Sequence, residues 1–244
     1  MPKKPGSARK PALRDRAVAD GKAVRAHRYL HLLHLGLLLG LGLWAAGYWG
    51  PWVPHKDAGL IILGIDFGEF VKFLPQVRAG KIHLWREGFY LPALTLSLTL
   101  SLTAWRKEFP WPKAVRVLAN LLAVPPALAM LPPIWTPSLM LHSHEFRQQS
   151  IAIAIALAAA AISPILGRLP AKAVSAFLIA LLAISAAVPL WEFSRIRGAI
   201  AGIYAEKLGL GCGTVVMPLG GALAAIALAG ALLLPVDERH DPAP

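Results

Sequence analysis

The sequence predicts an all-α polytopic membrane protein, with about six transmembrane helices in three hairpins and short interfacial helices in the first and third outer loops. Three observations carry that expectation. Of the 244 residues, 56% are apolar before the 21 glycines are counted, and only 16% are charged, where soluble domains carry about 25% charge. A water-soluble exterior needs more charge than that, so soluble, disordered, collagenous and disulfide-rich classes are excluded. Six stretches reach the roughly 17–25 mainly apolar residues that a helix needs to cross hydrocarbon. The basic residues, finally, collect in segments that alternate inner and outer loops place on one side.

Residues 1–28 form a basic tail, read as mobile because it is rich in Pro, Gly and Ala and has no apolar stripe. Nine Lys or Arg against Asp15 and Asp20 give it +7 of the chain's +12. A polybasic segment beside a span retains the N-terminus in the cytoplasm and attracts anionic lipid headgroups. The charge therefore points to lipid, and no nucleic-acid partner is expected. The apolar run after it is long enough to span, so the sequence reads as a retained anchor and not a cleaved signal.

The membrane domain covers 29–235, with spans at about 29–50, 89–105, 115–135, 150–167, 173–191 and 214–235, and residues 236–244 form a short cytoplasmic tail. The segment 58–77 is an ambiguous seventh span. Promoting it would move the basic loops 106–116 and 168–172 outside, against the positive-inside rule. Six spans put both termini in the cytoplasm, as in a bacterial inner membrane. Trp49, Trp52, Trp135 and Trp191 then fall at outer boundaries and Trp105 and Trp111 at an inner one, where indole rings favour headgroups. Trp44 alone sits inside a span.

In the first outer loop Asp66 and Glu69 have capping-box spacing and Pro75 ends the helix near Leu74. Asp66, Glu69 and Lys72 make an outer interfacial polar face opposite Phe67, Phe70, Val71 and Leu74. In the loop 191–213, Phe193, Ile196, Ile200, Ile203 and Tyr204 recur at helical steps, which predicts a second interfacial helix. Helix packing is expected through small residues, Gly36, Gly40 and Gly47 in the first span and Gly221, Ala225 and Ala229 in the sixth. The second span carries Thr95, Ser97, Thr99, Ser101 and Thr103, whose hydroxyls either line a polar path or bond back to carbonyls one turn earlier. Prolines at 125–126, 132–133, 164, 189 and 218 break later spans, as in transporters whose broken helices line binding sites.

No span holds Asp, Glu, Lys or Arg in its centre, which argues against a carboxylate-driven transporter or ion pump. No HExxH, GxSxG, P-loop or CxxC occurs. His31 and His34 share a stripe with His27 on the first span, a spacing that suits a haem or metal. His142, His144 and Glu145 in the second outer loop, with His55 from the first, suit zinc or copper if the loops meet. No cofactor is predicted, and these metal sets stand as the alternative. Cys212, the single cysteine, is expected to fill a tight site between two glycines.

The function expected from these residues is a non-catalytic integral membrane subunit of a larger assembly, connected with transport. Its partners are the bilayer and either other membrane subunits or further copies of the chain. A six-span permease pairing with a separate ATPase is the alternative, with loop 106–116 as its inner contact surface. A membrane metalloenzyme using the outer histidines is the third reading.

Overall fold

The computed structural model describes the backbone of residues 9–55, 61–109, 111–204 and 208–233, with side chains from Tyr29 onward in those ranges. Residues 1–8 of the basic tail, the C-terminal tail 236–244 and Asp57 lie outside the described residues. The tail from Arg9 on is helical backbone, because helix α1 runs Arg9–Tyr48. Strands β1 (Pro51–Val53) and β2 (Ile62–Leu63) follow and pair antiparallel, Pro51 opposite Leu63. Then come α2 (Phe67–Phe70), α3 (Pro75–Arg78), α4 (Leu91–Thr103), α5 (Lys113–Leu122), α6 (Val124–Ala129) and α7 (Pro137–His142). The chain continues through α8 (Arg147–Ala161), α9 (Ser163–Leu166), α10 (Ala171–Tyr204) and α11 (Gly213–Leu233). Single turns of 3-10 helix join α2 to Leu74 and lead into α4.

Three helices among the described residues are long and apolar enough to cross a membrane: Tyr29–Tyr48 within α1, then α10 and α11. The six-span hairpin arrangement is not supported. Proline placement is the physical reason. Pro92 fixes the start of α4, which then has 13 residues, and Pro125 and Pro164 each open a new short helix where one span was expected. Proline is tolerated in a first helical turn, where no N–H partner is required, so an apolar run containing one is cut there. The predicted spans 89–105, 115–135 and 150–167 are thus shorter or divided helices. The third outer loop is corrected as well. Residues 191–204 form no separate interfacial helix but continue α10, whose 34 residues carry Pro189 inside. At about 1.5 Å per residue α10 reaches roughly 51 Å, well beyond one hydrocarbon thickness.

The closest packing in the bundle is between α1 and α11, which run antiparallel. Gly36 lies beside Ala227, Gly40 against Ala224 and Gly220, and Gly47 against Met217. A Cβ on Gly40 would stand 2.6 Å from the Ala224 nitrogen, and one on Gly47 would enter the Met217 backbone. Glycine is required at both positions because the two backbones touch there. On α11 the buried line runs through Gly220, Ala224 and Ala227. Gly221 sits under the Trp44 ring, while Ala225 and Ala229 are half-buried at the edge of the contact.

Helix α4 is the centre of the remainder, packed by α1, α5, α6, α8 and α10. Thr95, Ser97, Thr99, Ser101 and Thr103 are all buried. Thr103 bonds back to the Thr99 carbonyl at 2.7 Å, one of the two roles expected of these hydroxyls. Others reach across. Thr95 pairs with Ser185 of α10, Ser97 donates to the Ala123 carbonyl between α5 and α6 at 2.7 Å, and Ser163 of α9 donates to the Ser101 carbonyl. Interhelical bonds of this kind supply cohesion where apolar burial between helices supplies little. Trp44 donates to the Pro92 carbonyl at 3.0 Å and Tyr48 to the Phe89 carbonyl at 2.9 Å, which ties α1 to the start of α4. Trp52 is core and not headgroup-facing, since it is fully buried and caps α1 by donating to the Gly47 carbonyl.

Candidate functional site

The charged side chains of the described structure gather at the two ends of the bundle. At the end formed by loop 61–90, α7 and the start of α8, Glu145 is the hub. It accepts from Lys72 Nζ at 3.0 Å and from Arg86 Nη1 at 2.8 Å. Lys72 also pairs with Glu69, Arg86 with Glu87 at 2.9 Å, and Tyr90 donates to Glu69 at 3.0 Å. Both cations stand over the Phe146 ring, at 5.2 and 5.6 Å. The predicted outer polar face is therefore turned partly inward: Glu69 and Lys72 are half-buried in this network and only Asp66 is exposed. The capping box does not form, because Asp66 Oδ2 accepts from the Leu63 amide behind it and makes no cap bond.

Lys72, then Arg86, hold the Glu145 carboxyl below its usual range against the opposing effect of partial burial. Burial pushes the Tyr90 hydroxyl well above its ordinary value, and the Glu69 carboxylate reinforces the shift, so Tyr90 remains a donor throughout the accessible range. A depressed folded-state value means that the Glu145 contribution is full above the unfolded carboxylate value near 4.5 and is lost as pH falls through the folded value. The expected result is a thermal midpoint that declines between pH 6 and pH 3 by a larger margin in the native protein than in Glu145→Gln. Equal declines in the two proteins would show the network to be inconsequential. Each carboxylate here is engaged by a cation or a phenol, so the cluster clasps segments 66–73, 86–90 and 145–146 and presents no acid/base pair.

The predicted metal ligands do not assemble. Among the described residues no three His, Cys, Asp or Glu side chains come together at a metal-holding distance. His142 closes onto the Ser138 carbonyl at 3.0 Å inside α7, and Glu145 is committed to its two cations. His144 is exposed. His55 stacks near Tyr204, 5.6 Å between ring centres, at the edge of a cavity of about 450 Å³ lined also by Phe70, Phe73, Leu74 and Ile203.

At the opposite end, loop 106–116 folds onto α1. His34 Nε2 lies 3.3 Å from the Glu108 carbonyl, and its ring sits 5.1 Å from Phe109 and 6.3 Å from Trp111. His31 meets His34 edge-on at 6.3 Å. Arg106 is only 2% exposed and pairs with Glu108 at 3.0 Å, while Arg116 donates to the Trp111 carbonyl at 2.8 Å. His34 is thus placed among aromatic rings and a peptide carbonyl, and among the described residues no set of three metal-ligating side chains forms here. Cys212 is exposed; the tight contacts belong to its neighbours, Gly211 against Pro51 and Gly213 against Gly47.

Sequence reasoning missed Gln149 and Glu192. Gln149 is 1% exposed at the start of α8 and donates to the Met130 carbonyl. Glu192 is buried in α10, accepts from the Trp85 amide at 3.2 Å and pairs with Arg195 at 3.1 Å. Polar residues directly beside a span boundary were the available signal for both. No protein family, characterised protein or solved structure matches this chain. Its fold and sites define a helical bundle with three helices of membrane-crossing length.

Proposed function

We propose that the protein is an integral membrane bundle acting as a non-catalytic subunit of a larger membrane assembly, in a bacterial inner membrane with the basic-tail end toward the cytoplasm. The orientation follows from the positive-inside rule, since the tail and the basic loops 106–116 and 168–172 belong to that end. The association reading is carried by one observation on α10. Ala173, Ala176, Ala180, Ala183 and Ala187 are all exposed and recur at alternating three- and four-residue steps. Beside them runs a ridge of Phe177, Ile184 and Trp191, all more than half exposed. A groove of methyl groups next to a ridge of large side chains is the surface on which membrane helices dock closely, because small residues let backbones approach. The glycine stripes of α1 and α11 are spent on each other and no longer argue for an external partner.

The broken-helix argument for a connection with transport narrows to Pro189 and Pro218, which lie inside the membrane-length helices α10 and α11, since Pro92, Pro125 and Pro164 occupy first helical turns. The ATPase-coupled permease, the alternative, keeps only part of its contact surface, since Arg106, Phe109 and Trp111 of loop 106–116 are buried against the bundle while Lys107 and residues 112–114 are exposed.

A photo-reactive residue placed at Ala180 in native membranes is expected to give a discrete protein adduct. The same probe at Ile226, on the outward face of α11, is expected to give lipid adducts only. Lipid adducts from both positions would refute the subunit reading.

A further inference from the structure

We infer that the recess between the starts of α4 and α8 seats the headgroup end of a membrane lipid bearing a primary ammonium group. The recess measures about 170 Å³ and is walled by Leu94, Ile151 and Ile155 on its apolar side and by Glu87, Gln148 and Gln149 at its polar end. That volume is below the roughly 300–1,000 Å³ of a site that encloses a whole small molecule. It suits one end of a chain-like molecule whose remainder leaves across Ile151 and Ile155, both about half exposed.

The polar end asks for a hydrogen-bond donor. Gln149 is almost wholly buried, and its Nε2 is fixed on the Met130 carbonyl. A carbonyl only accepts, so the amide cannot be reversed, and Oε1 is left buried without a partner. An unpaired buried acceptor costs about 1–3 kcal/mol until a donor reaches it. Glu87 supplies a second acceptor, since both bonds from Arg86 fall on its Oε1 and leave Oε2 open. Gln148 Oε1 is already taken by the Trp85 indole at 2.9 Å. Glu87 is the one charged side chain that lines the recess, and its open carboxylate oxygen favours a cationic donor over a neutral or anionic one. The site lies beside the charged network of Glu145, at the starts of α4 and α8.

The inference rests on the membrane placement and is independent of association through α10. The test compares phosphatidylethanolamine with phosphatidylcholine and phosphatidylglycerol of identical acyl chains, by native mass spectrometry of the full chain released from nanodiscs. The ethanolamine lipid carries N–H donors and the choline lipid none. Retention of ethanolamine over choline lipid by about tenfold is expected, the ratio that one charge-assisted hydrogen bond supplies. Glu87→Gln is expected to reduce the preference, and Leu94→Trp, which fills the recess without removing a polar group, to abolish it. Equal retention of the ethanolamine and choline lipids by the native protein would overturn the proposal without recourse to any variant. Preferential retention of the glycerol lipid would overturn it as well, since a hydroxyl would then suffice. A chain that fails to enter the nanodisc at all would refute the membrane reading instead.

Discussion

Gly47→Leu is expected to abolish recovery of folded protein. The α1 and α11 backbones touch at this position, and a first side-chain carbon on Gly47 already enters the Met217 backbone. Overpacking a core costs about 1–3 kcal/mol when side chains can move aside. Here the obstacle is main chain within a helix, which yields only if the helices separate. Separation would also break the contacts at Gly40 and draw Trp44 from its place beside Gly221. Gly40→Leu should act in the same direction. Gly42 supplies the internal comparison, because nothing stands within 4 Å of a Cβ there. Gly42→Leu should leave the midpoint of detergent unfolding unchanged, while Gly47→Leu should show no cooperative transition. Similar behaviour of the two variants would mean that α1 and α11 are not in backbone contact.

Trp44→Ala is the second large effect. The indole is completely buried and is one of the two side-chain hydrogen bonds that hold α1 on the start of α4. Removing a large buried aromatic costs about 3–5 kcal/mol, and leaving the Pro92 carbonyl without its donor adds about 1–3 kcal/mol. Against a typical total of about 5–15 kcal/mol the loss is decisive for many folds. Trp44→Phe separates the two contributions, because it keeps most of the volume and removes the donor. Its unfolding midpoint should lie between those of the native protein and the alanine variant. A phenylalanine variant as stable as the native protein would show that the hydrogen bond contributes nothing.

The parts of the fold legible in the sequence are those decided within one helix. Continuous apolar length marks α1 and α11, and the extended geometry of Leu74 before Pro75 follows from proline sterics. What the sequence could not reveal depends on position relative to a partner. A proline at 125 or 164 reads as a break inside a span, yet each stands at a helix start and divides the span that composition alone would draw. Pro189, by contrast, lies inside α10, so the apparent loop helix at 191–204 is the same helix continued. The glycines of α1 were visible as a stripe, and their counterpart on α11 runs through Gly220, Gly221 and Ala224, with the expected Ala225 and Ala229 only half-buried. Glu69 and Lys72 looked solvent-facing because the residue that turns them inward, Glu145, lies more than seventy positions away. Gln149 at the edge of a span gave no sign that one amide atom would be buried without a partner.

The central claim is that the exposed alanine groove of α10 is a protein contact. Ala180→Trp blocks that groove while touching nothing inside the bundle, so it should leave unfolding behaviour within about 0.5 kcal/mol of the native protein. The decisive measurement is the mass of the particle taken directly from native membranes into polymer nanodiscs. The native chain should appear at a defined mass above its own 26.1 kDa, with Ala180→Trp shifting it to the single chain. A native protein already found as a single chain, or an Ala180→Trp particle of unchanged mass, would contradict the account.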